Sequence, residues 1–328
     1  MKQTVEISVI VPVVNEEGNV RLLWDRLARV LSAMTGDFEV IFVDDGSQDR
    51  TFSIVKGLHE KEPRVRGVAF SRNFGHQIAL LAGLREARGE VVVTMDGDLQ
   101  HPPELIPELY RTHQQGYDIV NTRRIDDASA SSFKRGSSQH FYRLINHLSD
   151  IRIEPASADF RLMSRATVNA FLDIPERDRF TRGLVSWMGF RQAVVEYQAE
   201  PRASGETKYS LHKMIQFALN GITSFSARPL RISFYTGCLI SLAGLLYAVF
   251  AVAQFFVGNT IPGWTSILVT LLIIGGVILI NLGIVGEYIA RIFNEVKARP
   301  LYFIREQTGS EPVPRDRTCH EKSEAKPS

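Results

Sequence analysis

Short runs of apolar and β-branched residues recur through the first part of the chain, with amphipathic stretches between them. Residues 7–11, 39–43, 65–70, 90–95 and 118–122 predict strands whose starts lie 25 to 32 residues apart, the length of a strand-helix-strand unit. Between them, Val20, Leu23, Leu27, Val30 and Leu31 form one stripe at helical spacing, and Ile78, Leu81, Ala82 and Leu84 another; both read as helix faces turned to a core. The predicted class is α/β with a largely parallel sheet. Beyond about residue 123 the pattern loosens: 134–147 and 164–171 read as helical, 192–197 as a strand, and 211–225 as an amphipathic helix leading to a membrane. No internal repeat is present.

A second pattern dominates the C-terminal third. From Ile232 to Gly286 there is no Asp, Glu, Lys or Arg. A bilayer core about 30 Å thick needs roughly 20 apolar residues as a helix, so the stretch accommodates two spans and a turn. The turn reads as Gly258-Asn259-Thr260-Ile261-Pro262-Gly263 between apolar runs at 232–257 and 265–289. A buried helical hairpin in a large soluble core is the competing reading, and so long a charge-free stretch speaks against it. Arg228 and Arg231 precede the first run, Arg291, Lys297, Arg299 and Arg305 follow the second, and the turn is uncharged. Both termini are therefore expected in the cytoplasm, with Phe234, Tyr235, Trp264 and Tyr288 near the interfaces. No acid or base between Ile232 and Gly286 marks a transport path. Gly275, Gly276 and Gly283 would let a helix approach another copy closely, so a homo-oligomer is expected. The expected organisation is a cytoplasmic domain over 1–210, a juxtamembrane helix at 211–231, the two spans, a second juxtamembrane segment at 290–308 and a disordered tail at 309–328, rich in Pro, Ser and charge.

Composition narrows the partners. The 328 residues carry 38 Lys and Arg against 36 Asp and Glu, a formal net charge of +2, so no uniform field recruits nucleic acid. The two cysteines, Cys238 and Cys319, have neither metal-ligand spacing nor the density of a disulfide scaffold. Lys2 precedes an apolar run at 7–14, but Pro12 interrupts it and Asn15-Glu16-Glu17 follows where a signal peptide would have small residues. The run is a first strand.

In a parallel sheet ligands bind at the carboxyl ends of the strands. Polar residues gather there: Pro12-Val13-Val14-Asn15-Glu16, Asp44-Asp45-Gly46-Ser47, Ser71-Arg72-Asn73 and Asp96-Gly97-Asp98. Two carboxylates at i and i+2 around a glycine offer oxygen ligands to Mg²⁺ or Mn²⁺ and leave room for a diphosphate; a turn with solvated acids is the alternative. Asp44 or Asp45 can accept the imide N–H of a uracil or bind ribose hydroxyls, or the segment can be a turn with Ser47 or Asp49 capping the next helix. Arg202 and Lys208 bracket Ser204-Gly205 in an expected loop and suit phosphate, as a fork and as a point charge. A solvated basic loop near the membrane is the alternative there. His76, His101 and His147 lack paired metal-ligand spacing and receive no role.

The ordered set Pro12 to Glu16, Val43 to Ser47, Asp96-Gly97-Asp98-Leu99-Gln100-His101-Pro102-Pro103-Glu104, Ala158-Asp159-Phe160-Arg161-Leu162 and Gly205-Glu206-Thr207-Lys208-Tyr209 resembles the polyprenyl-phosphate glycosyltransferases of glycosyltransferase family two. Gly286-Glu287-Tyr288-Ile289 and Lys297-Ala298-Arg299-Pro300 resemble their bactoprenol glucosyltransferase branch, and the resemblance spans roughly residues 5 to 305. It implies a nucleotide-sugar-binding domain of the GT-A type. It further implies a uridine site at Asp44, Asp45, Pro12 and Glu16, and Asp98 as main metal ligand with Asp96 and Gln100 near sugar and diphosphate. Asp159 matches the catalytic carboxylate; Arg202 and Lys208 match phosphate-gripping residues, with Arg123 or Arg124 assisting. Many relatives carry Ala where Gly97 stands. The implied reaction is inverting transfer of a sugar, glucose first, from a UDP-sugar to polyprenyl phosphate at the inner face of a bacterial cell membrane, leaving translocation to a separate flippase. A polysaccharide synthase would share the donor domain, but its Gln-x-x-Arg-Trp motif and further spans are missing; a non-catalytic membrane scaffold would release no UDP.

Overall fold

The computed structural model describes residues 5–125, 157–177, 181–198, 226–256 and 263–309. Among the predicted segments, 134–147, 211–225, the turn at 258–262 and the tail beyond 309 lie outside these residues, as do Arg202, Lys208 and His147. The described chain forms two compact units, one holding residues up to 198 together with 299–309, the other holding 226–298.

The first unit is built on the predicted strands. β1 (Ile7–Val13), β2 (Phe38–Asp44), β3 (Val65–Phe70), β4 (Val91–Thr94) and β5 (Ile119–Ile125) alternate with α1 (Val20–Met34), α2 (Thr51–Lys61), α3 (His76–Glu86) and α4 (Ile106–Gln114). Every residue of β1 and β2 is buried, as expected of central strands covered on both faces, which is why these runs read as continuous rather than alternating. Val20, Leu23, Leu27 and Leu31 of α1 pack with Val9, Val11, Val40 and Phe42 in one core.

The remainder comprises β6 (Ser157–Ser164), α5 (Arg165–Asp173), α6 (Thr181–Trp187), β7 (Gln192–Gln198) and, after the apolar helices, β8 (Ile304–Gln307). The eight strands lie in the order β7-β5-β6-β4-β1-β2-β3-β8. The sheet is mixed rather than largely parallel. β1 pairs in parallel with β2 and β4, β2 with β3, and β5 with β7, whereas β6 runs antiparallel to β4 and β5, and β8 antiparallel to β3. β6 carries a short alternation, Ala158, Phe160 and Leu162 against Asp159 and Arg161, that the sequence reading did not use, whereas the four residues of β8 do not alternate and their neighbour in the sheet decides them. β8 adds to the expected 1–210 domain a strand from the far end of the chain.

The edge of the sheet opposite the strand carboxyl ends is tied by a buried polar network. Glu39, 4% exposed, accepts hydrogen bonds from Ser8 Oγ at 2.7 Å, the Arg88 amide at 2.7 Å and Arg66 Nη1 at 3.0 Å. Arg66 also pairs with Glu86 at 2.7 Å. Removing one partner of a buried pair strands the other, at about 3–5 kcal/mol. With Glu86 still holding Arg66, Glu39→Ala is expected at the low end, about 3 kcal/mol. Urea unfolding of the detergent-solubilised chain, followed by fluorescence of the buried Trp24, measures it; a loss under about 1 kcal/mol would mean that the network is solvated.

The second unit is a pair of long helices, α7 (Arg228–Phe256) and α8 (Trp264–Lys297), longer than the apolar runs because helix continues into the charged flanks. Both are long and apolar enough to cross a membrane, and their large apolar side chains, Leu239, Leu245, Ile267 and Leu279 among them, are exposed. Ser233 Oγ hydrogen-bonds Asn281 between the helices, and Tyr288 Oη donates to the Ser226 carbonyl at 2.7 Å; such polar bonds hold helices together where water is excluded.

Candidate functional site

The carboxyl ends of β1, β2 and β4 meet in one set of turns. Asp44 ends β2, wholly buried, and its Oδ1 accepts from the Ser47 amide at 2.9 Å. Asp45 accepts from the amides of Phe74 at 2.7 Å and Gly75 at 3.0 Å, so the turn after β2 holds the turn after β3. Gly46 sits between them at φ +75°, where a Cβ would lie 2.4 Å from the Arg72 carbonyl carbon. Only glycine satisfies both that backbone and that approach. Burial raises the Asp45 pKa, against the two amide hydrogen bonds.

The turn after β1 docks on the same segment. Asn15, in the left-handed region at φ 54°, donates its amide to Ser47 Oγ and accepts the Gln48 amide, both at 2.9 Å. Ser47 therefore ties two turns together instead of capping α2, and Asp49 accepts the Thr51 amide at 2.9 Å at that helix start. Glu16 donates its amide to Thr51 Oγ1 at 2.8 Å. Its carboxyl is raised in pKa chiefly by burial, with repulsion from Asp98 adding to it.

The acidic turn after β4 completes the floor. Leu99 stands between Asp98 and Gln100 at φ 62°, costly for a bulky side chain by about 1–3 kcal/mol. The Gln100 amide donates to Asp98 Oδ1 at 3.1 Å. Gly97 would place a Cβ 2.8 Å from Val13 Cγ1 and 3.2 Å from the Pro12 carbonyl oxygen. Its use here is close approach of the acidic turn to β1, and a relative's alanine requires Val13 to move.

Asp159 reaches this turn from β6. It is buried, its Oδ1 accepting from Arg161 Nη2 at 3.2 Å. His76, first residue of α3, brings Nε2 to 3.6 Å from Asp159 Oδ2 and 3.4 Å from Asp96 Oδ1. His101 accepts the Asp96 amide on Nδ1 at 3.0 Å and stacks on Phe160, so this ring carries any neutral-state proton on Nε2. The sequence reading gave these two histidines no role; the structure places both beside Asp96, and His76 also beside Asp159. They converge through the topology, and linear spacing carries no trace of that. Tyr197 of β7 was also missed; burial, with Asp96 and Asp98 nearby, pushes its phenol up to about 12.

The two β5 arginines separate. Arg124 Nη1 is 3.4 Å from Gln100 Oε1, whereas Arg123 is paired with Glu196 at 2.6 Å; successive strand residues face opposite ways. Arg124 is the one beside the acidic turn.

Three buried polar atoms in these turns have no hydrogen-bond partner: Asp44 Oδ2, Asp96 Oδ1 and Gln100 Nε2. Buried polar groups are rarely left so, and a cluster of them marks where a polar ligand is received. Among the described residues no three His, Cys, Asp or Glu side chains form a metal cage. The donor set fits instead an Mg²⁺-like ion that keeps waters and substrate phosphates alongside one or two carboxylates. Asp98 and Asp96 would hold it.

A GT-A-like α/β unit with acids at its strand ends, followed by two apolar helices, defines a nucleotide-sugar transferase architecture. Residues 8–171 match the Glycosyl transferase family 2 domain and residues 228–292 the GtrB C-terminal hairpin; the chain belongs to glycosyltransferase family 2. It is 43% identical over 312 residues to the uncharacterized glycosyltransferase sll0501 of Synechocystis sp., covering 95% of this chain and 98% of that one. It is 40% identical over 308 residues to the SfII prophage-derived bactoprenol glucosyl transferase of Shigella flexneri, covering 94% and 100%. Among solved structures it is similar to glucosyl-3-phosphoglycerate synthase from Mycobacterium tuberculosis in complex with Mn²⁺, UDP and glucosyl-3-phosphoglycerate, at 18% identity and a TM-score of 0.42 over 66% of this chain and 77% of that one.

Proposed function

We propose that the protein transfers a sugar, glucose first, from a UDP-sugar to polyprenyl phosphate at the cytoplasmic face of a bacterial cell membrane, giving a polyprenyl-phosphate sugar and UDP. The observation that carries this reading is the cluster of buried atoms without a hydrogen bond, Asp44 Oδ2, Asp96 Oδ1 and Gln100 Nε2, at the strand ends of a family 2 domain that continues into a GtrB-type hairpin. The 40% identity to a bactoprenol glucosyl transferase supports the acceptor.

In this reading Asp44 and Asp45, with Pro12 and Glu16, receive the uridine, and Asp96, Asp98 and Gln100 face the diphosphate and sugar. A Mg²⁺ or Mn²⁺ ion held by Asp98 and Asp96 neutralises charge on the leaving diphosphate when bound. Arg124, with Arg202 and Lys208, grips phosphate oxygens. The acceptor phosphate attacks the anomeric carbon opposite the leaving group, so one displacement inverts the configuration. A phosphate monoester with a second pKa near 6 is largely ionised at neutral pH, and Asp159 orients it or stabilises positive charge on the sugar ring rather than acting as a strong base.

The two apolar helices anchor the enzyme in the bilayer with both chain ends in the cytoplasm, which the basic flanks support. Translocation of the product is left to a separate flippase, and the enzyme works as a homo-oligomer.

The test is purified protein in nanodiscs with undecaprenyl phosphate, a panel of UDP-sugars and Mg²⁺ or Mn²⁺, read as UDP release and lipid-linked sugar. Lipid-dependent release from one donor is expected. Donor consumption without lipid, or none with any donor, would overturn the reading.

A further inference from the structure

The segment after the second apolar helix enters the donor site. β8 pairs with β3 at the end of the sheet, and the Ser71 amide donates to the Phe303 carbonyl at 2.9 Å, extending that pairing beyond the strand. Tyr302 stacks on Phe70 with ring centroids 4.8 Å apart, and Phe303 lies against Phe74, the residue whose amide binds Asp45. Lys56 pairs with Glu306 at 2.8 Å, and Thr308 Oγ1 accepts the Gly67 amide at 2.8 Å. Residues 302–308 are thus fixed to the sheet by rings, ladder and ion pair, and this docking brings Arg305 to the end of β2.

There Arg305 Nη2 stands 3.6 Å from Asp44 Oδ2. That separation is beyond a hydrogen bond, and Oδ2 is the wholly buried carboxylate atom that lacks a partner. The pair therefore offers an unsatisfied acceptor, covered in this structure, with a cationic donor beside it, and Arg305, about half exposed, keeps guanidinium N–H groups to give. Uracil presents the complementary edge, an imide N–H flanked by carbonyl oxygens. A ribose hydroxyl could also donate to the carboxylate and accept from the guanidinium, but only uracil presents donor and acceptors on one rigid planar edge.

We propose that Arg305 is a nucleotide-binding residue that reads the donor's base: Asp44 Oδ2 accepts the imide N–H, and Arg305 donates to an adjacent uracil carbonyl. The base slot of the first unit is then completed by residues that follow the apolar hairpin in the chain. This rests on the donor being a uridine nucleotide, as proposed above.

Titration calorimetry of the full-length protein in nanodiscs, with Mg²⁺ present, tests it on UDP, uridine and inorganic pyrophosphate. Arg305→Ala is expected to weaken UDP and uridine by the same factor, about tenfold, the size of one charge-assisted hydrogen bond, and to leave pyrophosphate unchanged. Glu306→Ala, which removes the Lys56 pair from the same strand, is expected to leave all three unchanged. Unaltered UDP binding in Arg305→Ala would overturn the proposal, and so would a loss confined to UDP and pyrophosphate, which would make Arg305 a phosphate ligand. An equal loss in Glu306→Ala would overturn it as well, by making strand docking the cause. Wild-type protein that binds no uridine nucleotide at all would instead overturn the donor assignment, and this inference with it.

Discussion

Asp159→Asn is expected to lower kcat by about 10³-fold, the scale of a single electrostatic group aimed at a transition state, while UDP affinity stays within a factor of about two. The carboxylate is buried, bonded to Arg161 at 3.2 Å and 3.6 Å from His76, and His76 in turn approaches Asp96. Asparagine preserves the volume but removes the charge and puts an N–H where only acceptance is useful, toward either Arg161 or His76. Neither outcome disturbs Asp44, Asp45 or Glu16, which lie after other strands. In the proposed reaction the acceptor phosphate supplies its own ionised oxygen, so no proton removal by Asp159 is required near neutral pH.

Arg161 is almost fully buried beside Asp159, so losing the charge also removes an anion from beside a buried cation. Asp159→Glu separates the two effects, because it keeps the ion pair's charge and displaces the oxygens by one methylene. If position matters, the Glu variant unfolds at the wild-type temperature yet remains slow. Full turnover in both variants would remove Asp159 from the reaction. A loss in the Asn variant that tracked its unfolding would make Asp159 a folding residue.

Strands that form the centre of the sheet were legible because burial on both faces leaves a nearly continuous apolar run, broken only near its start by Ser8 in β1 and Glu39 in β2. α1 was legible from its stripe, whose Val20, Leu23, Leu27 and Leu31 are all buried. β8 was not, since a four-residue edge strand without alternation takes its conformation from β3, distant in sequence, and the short alternation of β6 was passed over beside the helical reading of the residues after it. The acidic turns could be located because they follow those central runs directly. The histidines could not: His76 depends on α3 starting beside the β4 turn, and His101 on stacking with Phe160 of β6. Arg305 was legible only as a basic flank of a membrane span. Its approach to Asp44 depends on β8, the least visible strand of all. What sequence reading recovers is therefore the part of the site carried by consecutive residues. What it misses is the part assembled across the sheet.

The acidic turn itself yields the second large effect. Asp98→Ala is expected to lower kcat/KM by about 10²- to 10³-fold, corresponding to the several kcal/mol that a bound cation supplies to a departing diphosphate. Unlike Asp159, Asp98 has little structural duty, since its recorded hydrogen bond is the local one to the Gln100 amide. Leu99 beside it holds a left-handed backbone, a conformation that costs stability and aims the flanking side chains. Removing the Asp98 carboxylate takes the ligand and leaves that turn in place, so the unfolding temperature is expected to hold. Mn²⁺ binding read by electron paramagnetic resonance in the presence of UDP provides the direct check, and it needs no turnover. Wild-type protein is expected to bind the ion with UDP, and the variant to bind it at least about tenfold more weakly. Asp96→Asn should weaken it less if Asp98 is the main ligand, because Asp96 shares its carboxylate with His76 at 3.4 Å. An Asp98 variant that bound Mn²⁺ and UDP like wild type would shift the metal to other oxygens, and a greater loss in Asp96→Asn would reverse the order of the two ligands.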